Sequence, residues 1–357
     1  MQYRLLGRSG VHVSAVALGA MMFGRGGNRD ERECVAMIHR ALDAGVNLVD
    51  TADGYSIGES EQIIGRALAG RRDDVVIATK CYFPRDRDLN RRGGSRRWIV
   101  RACEESLRRL DTDHIDLYQL HRLDPNTDLS ESLGAMDDLV HAGKVRMVGH
   151  SGVAAEQLVE CQWVATHGRL TRPVSEQPPY SIFTRAAERA LFPACLRHGV
   201  GAIVYGPLNG GWLTGKYTPD APPAEGTRAA RAFFSKSWWD FERDETRRKF
   251  AVLDELRLLA AESGLSLAHL ALAFAIEHPA VSAAIIGPRT SAQLDDLLAG
   301  AEVRLSAEVL ERIDQLVAPG TDIDPGTFVA VNPDLSEKSR RRRSISGESR
   351  LQSRRTC

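Results

Sequence analysis

Eight short runs of apolar, largely β-branched residues alternate with longer amphipathic segments, and this alternation predicts an α/β protein built as a TIM barrel, (β/α)8. The chain has 357 residues, of which 43% are hydrophobic and 26% are charged, so it is long enough to bury a large core. No Gly/Ser-rich linker divides the alternation. One barrel of about 250 residues or more therefore explains the pattern better than two linked domains.

The strands are predicted from apolar runs of strand length that end at polar residues or turn signals. In chain order they span residues 15–18, 46–49, 75–79, 115–120, 145–149, 174–176, 201–204 and 283–286. An N-terminal hairpin over residues 3–14 is predicted to precede them, turning at Arg8-Ser9-Gly10. A doubly wound sheet is disfavoured, because the glycines of residues 24–27 lack the GxGxxG spacing of a dinucleotide-binding turn.

The helices are predicted from apolar residues that recur with a period of about 3.6 beside charged faces. They span residues 32–44, 59–69, 99–110, 130–142, 155–166, 186–198, 253–263, 267–277 and 291–299. Residues 217–244, which are rich in proline, are predicted to form a long insertion between the seventh strand and its helix.

The end of the chain differs in composition from the rest. Residues 338–357 contain eight Lys or Arg residues and one acidic residue, whereas the whole chain balances 47 basic against 47 acidic residues. With only two large apolar residues, this segment is predicted to be disordered. We therefore assign residues 1–320 to the barrel and residues 321–357 to a C-terminal extension, basic and disordered from residue 338. A solvated terminus is the simpler interpretation, and an arm that binds phosphate or a membrane surface is the alternative.

Composition argues against several classes of protein. A formal net charge of zero disfavours a basic nucleic-acid binder. The N-terminus has no apolar signal region and no apolar run reaches about 18 residues, so neither secretion nor a membrane span is expected. Six cysteines without CxxC pairs predict reduced thiols, a cytoplasmic location and no metal site. A monomer is the default expectation and an oligomer is the alternative.

Polar residues follow six of the predicted strands at their C-terminal ends. They are Asp50, Lys80, His121, Ser151, Gln177 and Tyr205. Any one of them alone is usually a solvated turn residue or a structural group. In a (β/α)8 barrel, however, all six positions face the mouth at which barrel enzymes carry their chemistry. The joint pattern therefore predicts a catalytic site there.

Tyr55 follows Asp50 in the same loop and completes a group suited to proton transfer. A free tyrosine has a pKa near ~10 and is a poor acid at neutral pH. An ammonium such as Lys80 favours the phenolate and draws the pKa toward neutrality, and a carboxylate such as Asp50 holds that ammonium in place. His121 is placed to hydrogen-bond a substrate oxygen. These residue types predict protonation of a carbonyl oxygen by a general acid.

Several segments, taken in order, resemble the signature of the aldo-keto reductases. They are GVNLVDTADGY at residues 45–55, TK at 79–80, DLYQLH at 116–121, GKVRMVG at 143–149, YGPLNGGWLTGKY at 205–217 and IGPRT at 286–290. The resemblance covers residues 3–317 and is nearest to longer bacterial members and potassium-channel β subunits. It implies NADPH-dependent reduction of a small-molecule aldehyde or ketone to an alcohol, with Asp50, Tyr55, Lys80 and His121 as the catalytic tetrad and Tyr55 as the acid.

The resemblance also implies which residues hold NADPH. Ser151 and Gln177 match positions that bind the nicotinamide carboxamide, and Tyr205 matches a ring that stacks on the nicotinamide. Arg289 suits a phosphate dianion, which favours NADPH over NADH. The implied contacts are Met21, Asp50, Ser151, Gln177, Tyr205, Gly206, Pro207, Leu208, Gly210, Lys216, Arg228, Gly287, Arg289, Gln293 and Asp296.

Three positions depart from the family pattern. Gly152 replaces an Asn after Ser151, Leu297 replaces an adenine-facing Asn, and Gly206 replaces a Ser. One carboxamide hydrogen bond is therefore expected to be missing, or to be supplied by Gln177 and water. The acid–base residues are unaffected.

The main alternative is an NADPH-binding, redox-sensing regulatory subunit with slow turnover, which would share the fold and most motifs. His121 favours carbonyl reduction, because the resemblance places an amide there in channel subunits and an acid in steroid double-bond reductases. A metal-dependent hydrolase is disfavoured, since the histidines show no paired ligand spacing. A Schiff-base aldolase that uses Lys80 is disfavoured, because a neighbouring Asp and Tyr suit proton transfer better than deprotonation of the amine. Specificity is expected from the loops at residues 21–28, 81–97, 123–127 and 217–244. The last of these loops carries four aromatic residues, Phe233, Phe234, Trp238 and Trp239. They are expected either to form a lid over the carbonyl substrate or simply to pack the loop on the barrel.

Overall fold

Eight parallel strands close into a barrel, in which the first barrel strand pairs with both the second and the last. The computed structural model describes residues 1–219, 221, 223–225, 227, 230, 240 and 242–325. The barrel strands are β3 (Val16–Gly19), β4 (Leu48–Asp50), β5 (Val76–Cys81), β6 (Ile115–Leu120), β7 (Val145–Ser151), β8 (Ser175–Gln177), β9 (Gly201–Tyr205) and β10 (Val281–Ile286). The predicted (β/α)8 barrel is confirmed.

Two short antiparallel strands, β1 (Tyr3–Leu5) and β2 (His12–Ser14), form the predicted hairpin. The Ser14 backbone N–H donates to the side-chain oxygen of Asn47, just before β4 begins. Leu6 and Val13 are fully buried and pack against apolar residues inside the barrel: Ala17, Leu48, Ala78, Leu117, Ile203 and Ala283. The hairpin therefore closes the N-terminal end of the barrel with apolar side chains.

Several barrel strands continue further toward their C-terminal ends than their apolar runs predict. Strand pairing includes Gly19 opposite Asp50, Lys80 opposite Gln119, and Ser151 opposite Gln177. The backbone ladder is indifferent to side-chain polarity, so it extends through polar residues wherever a neighbouring strand continues beside them. Five of the six polar strand-end residues are consequently part of the rigid sheet, and His121 directly follows β6.

The helices surround the barrel as predicted, with shifted ends. They are α1 (Glu31–Asp43), α2 (Glu59–Ala67), α3 (Arg96–Leu110), α4 (Leu129–His141), α5 (Ala155–His167), α6 (Leu191–His198), α7 (Asp244–Glu262), α8 (Leu267–Glu277), α9 (Ser291–Gly300) and α10 (Ala307–Leu316). Helix α6 begins later than predicted, because Ala186–Glu188 is a separate 3-10 turn. Helix α7 begins earlier than predicted, and α10 was not predicted.

Residues 321–325, which the sequence assigned to the extension, pack against the barrel. Ile323 is buried and its backbone N–H donates to the Phe183 carbonyl. Asp324 lies 2.8 Å from Lys249 of α7, and both side chains are buried. The basic segment 338–357, Arg228 and the four aromatic residues of the insertion lie outside the described residues. In the described ranges, no single helix is long and apolar enough to cross a membrane; α7 and α8 qualify only as a pair bent by 92°.

Candidate active site

A cavity of about 1200 Å³ opens at the C-terminal ends of the barrel strands. Five of the six predicted strand-end residues line it: Asp50, His121, Ser151, Gln177 and Tyr205. The sixth, Lys80, is completely buried beside Asp50. Tyr55 also lines the cavity, so the structure brings the four predicted catalytic residues together at one mouth.

Lys80 on β5 forms a buried ion pair with Asp50 at the end of β4. Its Nζ lies 2.7 and 2.8 Å from the two carboxylate oxygens and 2.7 Å from the Thr51 carbonyl oxygen, to which it also donates. Burial alone lowers the pKa of Lys80, but the charge of Asp50 and the contact with Tyr55 outweigh burial and raise it. The lysine is therefore charged at neutral pH.

Tyr55 begins the 3-10 turn Tyr55–Gly58, which connects the loop after β4 to α2. The Lys80 Nζ lies 5.2 Å from the centroid of its ring. An ammonium can only donate, so toward Lys80 the tyrosine oxygen can act only as an acceptor, and its own hydrogen stays available to a substrate. Burial raises the pKa of Tyr55 more than Lys80 lowers it. The expectation of a pKa drawn toward neutrality is therefore wrong for the protein without ligands, because burial dominates, and the tyrosine is protonated at neutral pH.

His121 follows β6 and lies edge-on to two aromatic rings. Its ring centroid is 5.9 Å from that of Tyr55 and 4.7 Å from that of Phe83. Burial, followed by the charges of Lys80 and Arg122, holds the pKa of His121 well below its usual range. The imidazole is therefore neutral at neutral pH. Its Nδ1 is buried without a hydrogen-bond partner among the described residues.

Ser151 on β7 and Gln177 on β8 form the wall beside Asp50. The Gln177 Nε2 donates to Asp50 Oδ2 at 2.7 Å, so the amide oxygen is the atom left to accept other hydrogen bonds. The Ser151 hydroxyl donates to the Gln177 carbonyl at 3.0 Å. The two residues predicted to hold a carboxamide are thus neighbours with fixed orientations.

Arg122, which sequence analysis did not assign to the site, lines the same cavity. Its Nη1 donates to the carbonyl oxygen of His121 at 2.6 Å and to Ser151 Oγ at 3.3 Å. Burial raises the pKa of Tyr205 to about 12, and the charge of Arg122 opposes that rise. In the sequence, the only indication that Arg122 belongs to the site is its position directly after His121. That indication is weak, because an arginine beyond a strand end is usually solvated.

The implied cofactor contacts all line the cavity, apart from Arg228, which the structure does not describe. The backbone N–H of Arg289 donates to Gln293 Oε1 at 2.9 Å, and Asn28 donates to the Arg289 carbonyl. Gly211 has a φ of +99°, and a Cβ there would lie 2.7 Å from Lys216 Nζ. The positive φ favours glycine at residue 211, and without a Cβ there the Lys216 ammonium lies against this loop.

The mouth is bounded by the loop after β5 and by part of the insertion. Phe83 and Arg85 come from the first, and Glu225 and Thr227 from the second. Arg85 donates a hydrogen bond to the Asp53 carbonyl and so ties this loop to the segment before Tyr55. Within the described ranges, no group of three or more His, Cys, Asp or Glu side chains is arranged to hold a metal ion.

Comparison with sequence families identifies a family over most of the chain. The aldo/keto reductase family profile matches residues 15–318, which include the whole barrel. The chain belongs to the aldo/keto reductase family. Members generally reduce small-molecule carbonyl compounds with a nicotinamide cofactor, and the chain is accordingly an oxidoreductase.

Named relatives of this aldo/keto reductase span enzymes and channel subunits. The uncharacterized oxidoreductase YrpG of Bacillus subtilis is 37% identical over 88% of this chain and 96% of its own length. Versiconal hemiacetal acetate reductase of Aspergillus parasiticus is 33% identical over 91% and 99%. A probable voltage-gated potassium channel subunit beta of Oryza sativa subsp. japonica is 35% identical over 89% and 97%.

Proposed function

We propose that this aldo/keto reductase uses NADPH to reduce an aldehyde or ketone to the alcohol, with Tyr55 as the general acid. One observation carries the proposal: the buried Lys80 ammonium, which Asp50 keeps charged, lies 5.2 Å from the centroid of the Tyr55 ring and opposes the rise that burial causes in the pKa of this tyrosine. An isolated buried phenol holds its proton too firmly to be a useful acid. A fixed ammonium beside its oxygen lowers the free energy of the phenolate as the proton leaves.

The lining of the cavity fits a nicotinamide cofactor. The Gln177 side-chain oxygen, oriented by Asp50, is an acceptor suited to a carboxamide N–H. Lys216 and Arg289 line the same cavity and are suited to phosphates. When bound, NADPH supplies the hydride that adds to the carbonyl carbon.

The chain's own residues donate the proton and stabilise the charge that it leaves behind. Negative charge develops on the carbonyl oxygen during reduction, and that oxygen takes the Tyr55 hydroxyl proton. Lys80 then stabilises the phenolate and Asp50 stabilises Lys80. His121 is neutral, and with its Nδ1 buried and unpaired, Nε2 is the atom that donates to the substrate oxygen. Positioned proton transfer of this kind contributes ~10²- to 10⁴-fold to the rate.

The proposal is tested by NADPH consumption with para-nitrobenzaldehyde. Wild-type protein should turn over, and Tyr55→Phe should lose at least ~100-fold in kcat, because its ring remains but its proton is gone. Tyr82→Phe is the matched control: Tyr82 lies in the loop after β5, packs against Phe83 and is not among the residues that line the cavity, so turnover should be unaffected. Undiminished turnover in Tyr55→Phe would contradict the assigned acid.

The preference for NADPH rests on Arg289. Replacing it with alanine should weaken the binding of NADPH by about 10-fold, which is the loss expected for one charged hydrogen bond. The binding of NADH should be unchanged. Equal loss for the two cofactors would argue against a phosphate contact.

The similarity to a rice potassium-channel β subunit favours a second candidate, an NADPH-binding regulatory subunit with slow turnover. Such a protein would bind NADPH tightly and barely consume it with any aldehyde. The complete set of Asp50, Tyr55, Lys80 and His121 at one mouth favours the reductase.

A further inference from the structure

A side chain at residue 152 and the Arg122 guanidinium would need the same space beside the predicted carboxamide site. Gly152 has a φ of +65°, and a Cβ there would lie 2.7 Å from Arg122 Nη1 and 2.9 Å from its Cζ. A Cβ at residue 152 and the guanidinium in its present position would therefore overlap, and the end of the Arg122 side chain would have to move to admit one. The guanidinium therefore occupies the space that a side chain at residue 152 would enter.

The guanidinium is held at this place by the wall of the cavity. Its described acceptors are neutral oxygens: the His121 carbonyl and the Ser151 carbonyl and hydroxyl. It lines the cavity, so a ligand there can reach it. An arginine surrounded by neutral acceptors remains a strong donor toward a polar ligand group.

The neighbouring residues leave one hydrogen-bonding role unfilled. A primary amide that contacts this wall needs an acceptor for its N–H group and a donor for its carbonyl oxygen. Gln177 supplies the acceptor, because its nitrogen is engaged with Asp50. Ser151 is a poor donor, because its single hydrogen already goes to the Gln177 carbonyl. Arg122 is the remaining donor beside these two residues.

We propose that Arg122 is a cofactor-binding residue that donates a hydrogen bond to the carbonyl oxygen of the nicotinamide carboxamide, in the space vacated by the absent side chain of Gly152. The inference rests on the proposed nicotinamide-dependent function. It replaces the expectation that this hydrogen bond is missing or made by Gln177 and water. The Arg122 donor is charged, and charge-assisted hydrogen bonds are about twice as strong as neutral ones.

Binding of two ligands separates this role from a general structural one. NADP⁺ carries the carboxamide, whereas 2′,5′-ADP carries the phosphorylated adenosine without a nicotinamide. By titration calorimetry, Arg122→Met should raise the Kd for NADP⁺ by about 10-fold and change the Kd for 2′,5′-ADP by less than about twofold. Arg85→Met, the loss of the arginine that lines the cavity from the loop after β5, is the control and should change neither constant.

A compensating pair adds a second test. Asparagine tolerates a positive φ and brings back a neutral amide donor. Gly152→Asn combined with Arg122→Ala should therefore recover most of the NADP⁺ affinity that Arg122→Ala alone loses.

Three results would overturn the inference. Equal weakening of both ligands would make Arg122 merely structural. Unchanged NADP⁺ affinity together with a raised KM for 4-carboxybenzaldehyde would make it a substrate-binding residue. Wild-type protein that binds neither ligand would contradict the proposed function itself, and the inference with it.

Discussion

Gln177 on β8 donates a 2.7 Å hydrogen bond to Asp50 on β4, which lies across the barrel mouth and not on a neighbouring strand. The same carboxylate pairs with Lys80. Asp50 therefore links the proton-donating group to the wall proposed to bind the carboxamide. A change at Asp50 should alter both functions together.

Asp50→Asn should destabilise the protein and lower its activity. It leaves the buried Lys80 charge without its counter-ion, for which an unfolding free-energy loss of about 3 kcal/mol is expected. The lysine pKa should fall, because Asp50 is the largest influence that raises it. Urea unfolding measures the loss. The double variant Asp50→Asn/Lys80→Met should recover most of it, and a stable single variant would contradict the assigned pairing.

Because of His121, the protein should become less stable as the pH becomes acidic. Its folded-state pKa is held well below 6.5, so the folded protein binds this proton less readily than the unfolded chain does. Stability is therefore lost as pH falls below ~6.5, by up to about 1.4 kcal/mol per pH unit. His121→Gln should reduce that slope when unfolding is measured at several pH values. An NMR titration of His121 with a midpoint near its ordinary pKa would contradict the prediction.

Asp53 should make the protein less stable as the pH rises, which is the opposite of the effect of His121. It is buried, and neither carboxylate oxygen has a hydrogen bond of normal geometry to a described residue. Burial, followed by the charge of Glu61, raises its pKa to about 7, against the opposing charges of Arg85 and Arg109. The folded state thus holds the proton more tightly than the unfolded chain, and stability falls as pH rises from about 4 to about 7.

The variant Asp53→Asn removes this ionisation and should be more stable than wild type at about pH 8, by on the order of 2 kcal/mol. Unfolding free energies at about pH 5 and about pH 8 give the comparison. A pH dependence identical to that of wild type would show that Asp53 titrates normally.

Asp324 should matter to stability even though it lies beyond the predicted end of the barrel. Burial lowers the pKa of its partner Lys249, and Asp324 opposes that effect. Asp324→Asn should lower the unfolding free energy by about 2 kcal/mol or more. The control is Asp295→Asn, which breaks an exposed pair with Arg40 and should cost less than about 1 kcal/mol. Equal thermal stabilities of the two variants would contradict a structural role for residues 321–325.

The alternation of apolar runs predicted the barrel and its hairpin, because burial on both faces leaves a clear pattern in each strand. It did not predict that strands continue to Ser151 and Gln177, since backbone pairing does not depend on polarity. The first turns of α7 were missed for a related reason: the residues from Asp244 to Arg248 are mostly charged and carry no apolar stripe.

Residue types at strand ends were enough to predict that Asp50, Lys80 and His121 meet. The protonation of Tyr55 was not predictable, because its pKa depends on how deeply the packed loop buries it. Arg122 was missed because its role depends on the empty space at Gly152, which only the folded arrangement shows.

The central claim is that Tyr55 gives its proton to a carbonyl oxygen while bound NADPH is consumed. Single-turnover oxidation of prebound NADPH after mixing with para-nitrobenzaldehyde tests it most directly, since product release does not intervene. We expect rapid oxidation in wild type, and in Tyr55→Phe a rate at least ~100-fold lower with NADPH binding intact. Prebound NADPH that stays reduced in wild type, or that oxidises equally fast in Tyr55→Phe, would contradict the account.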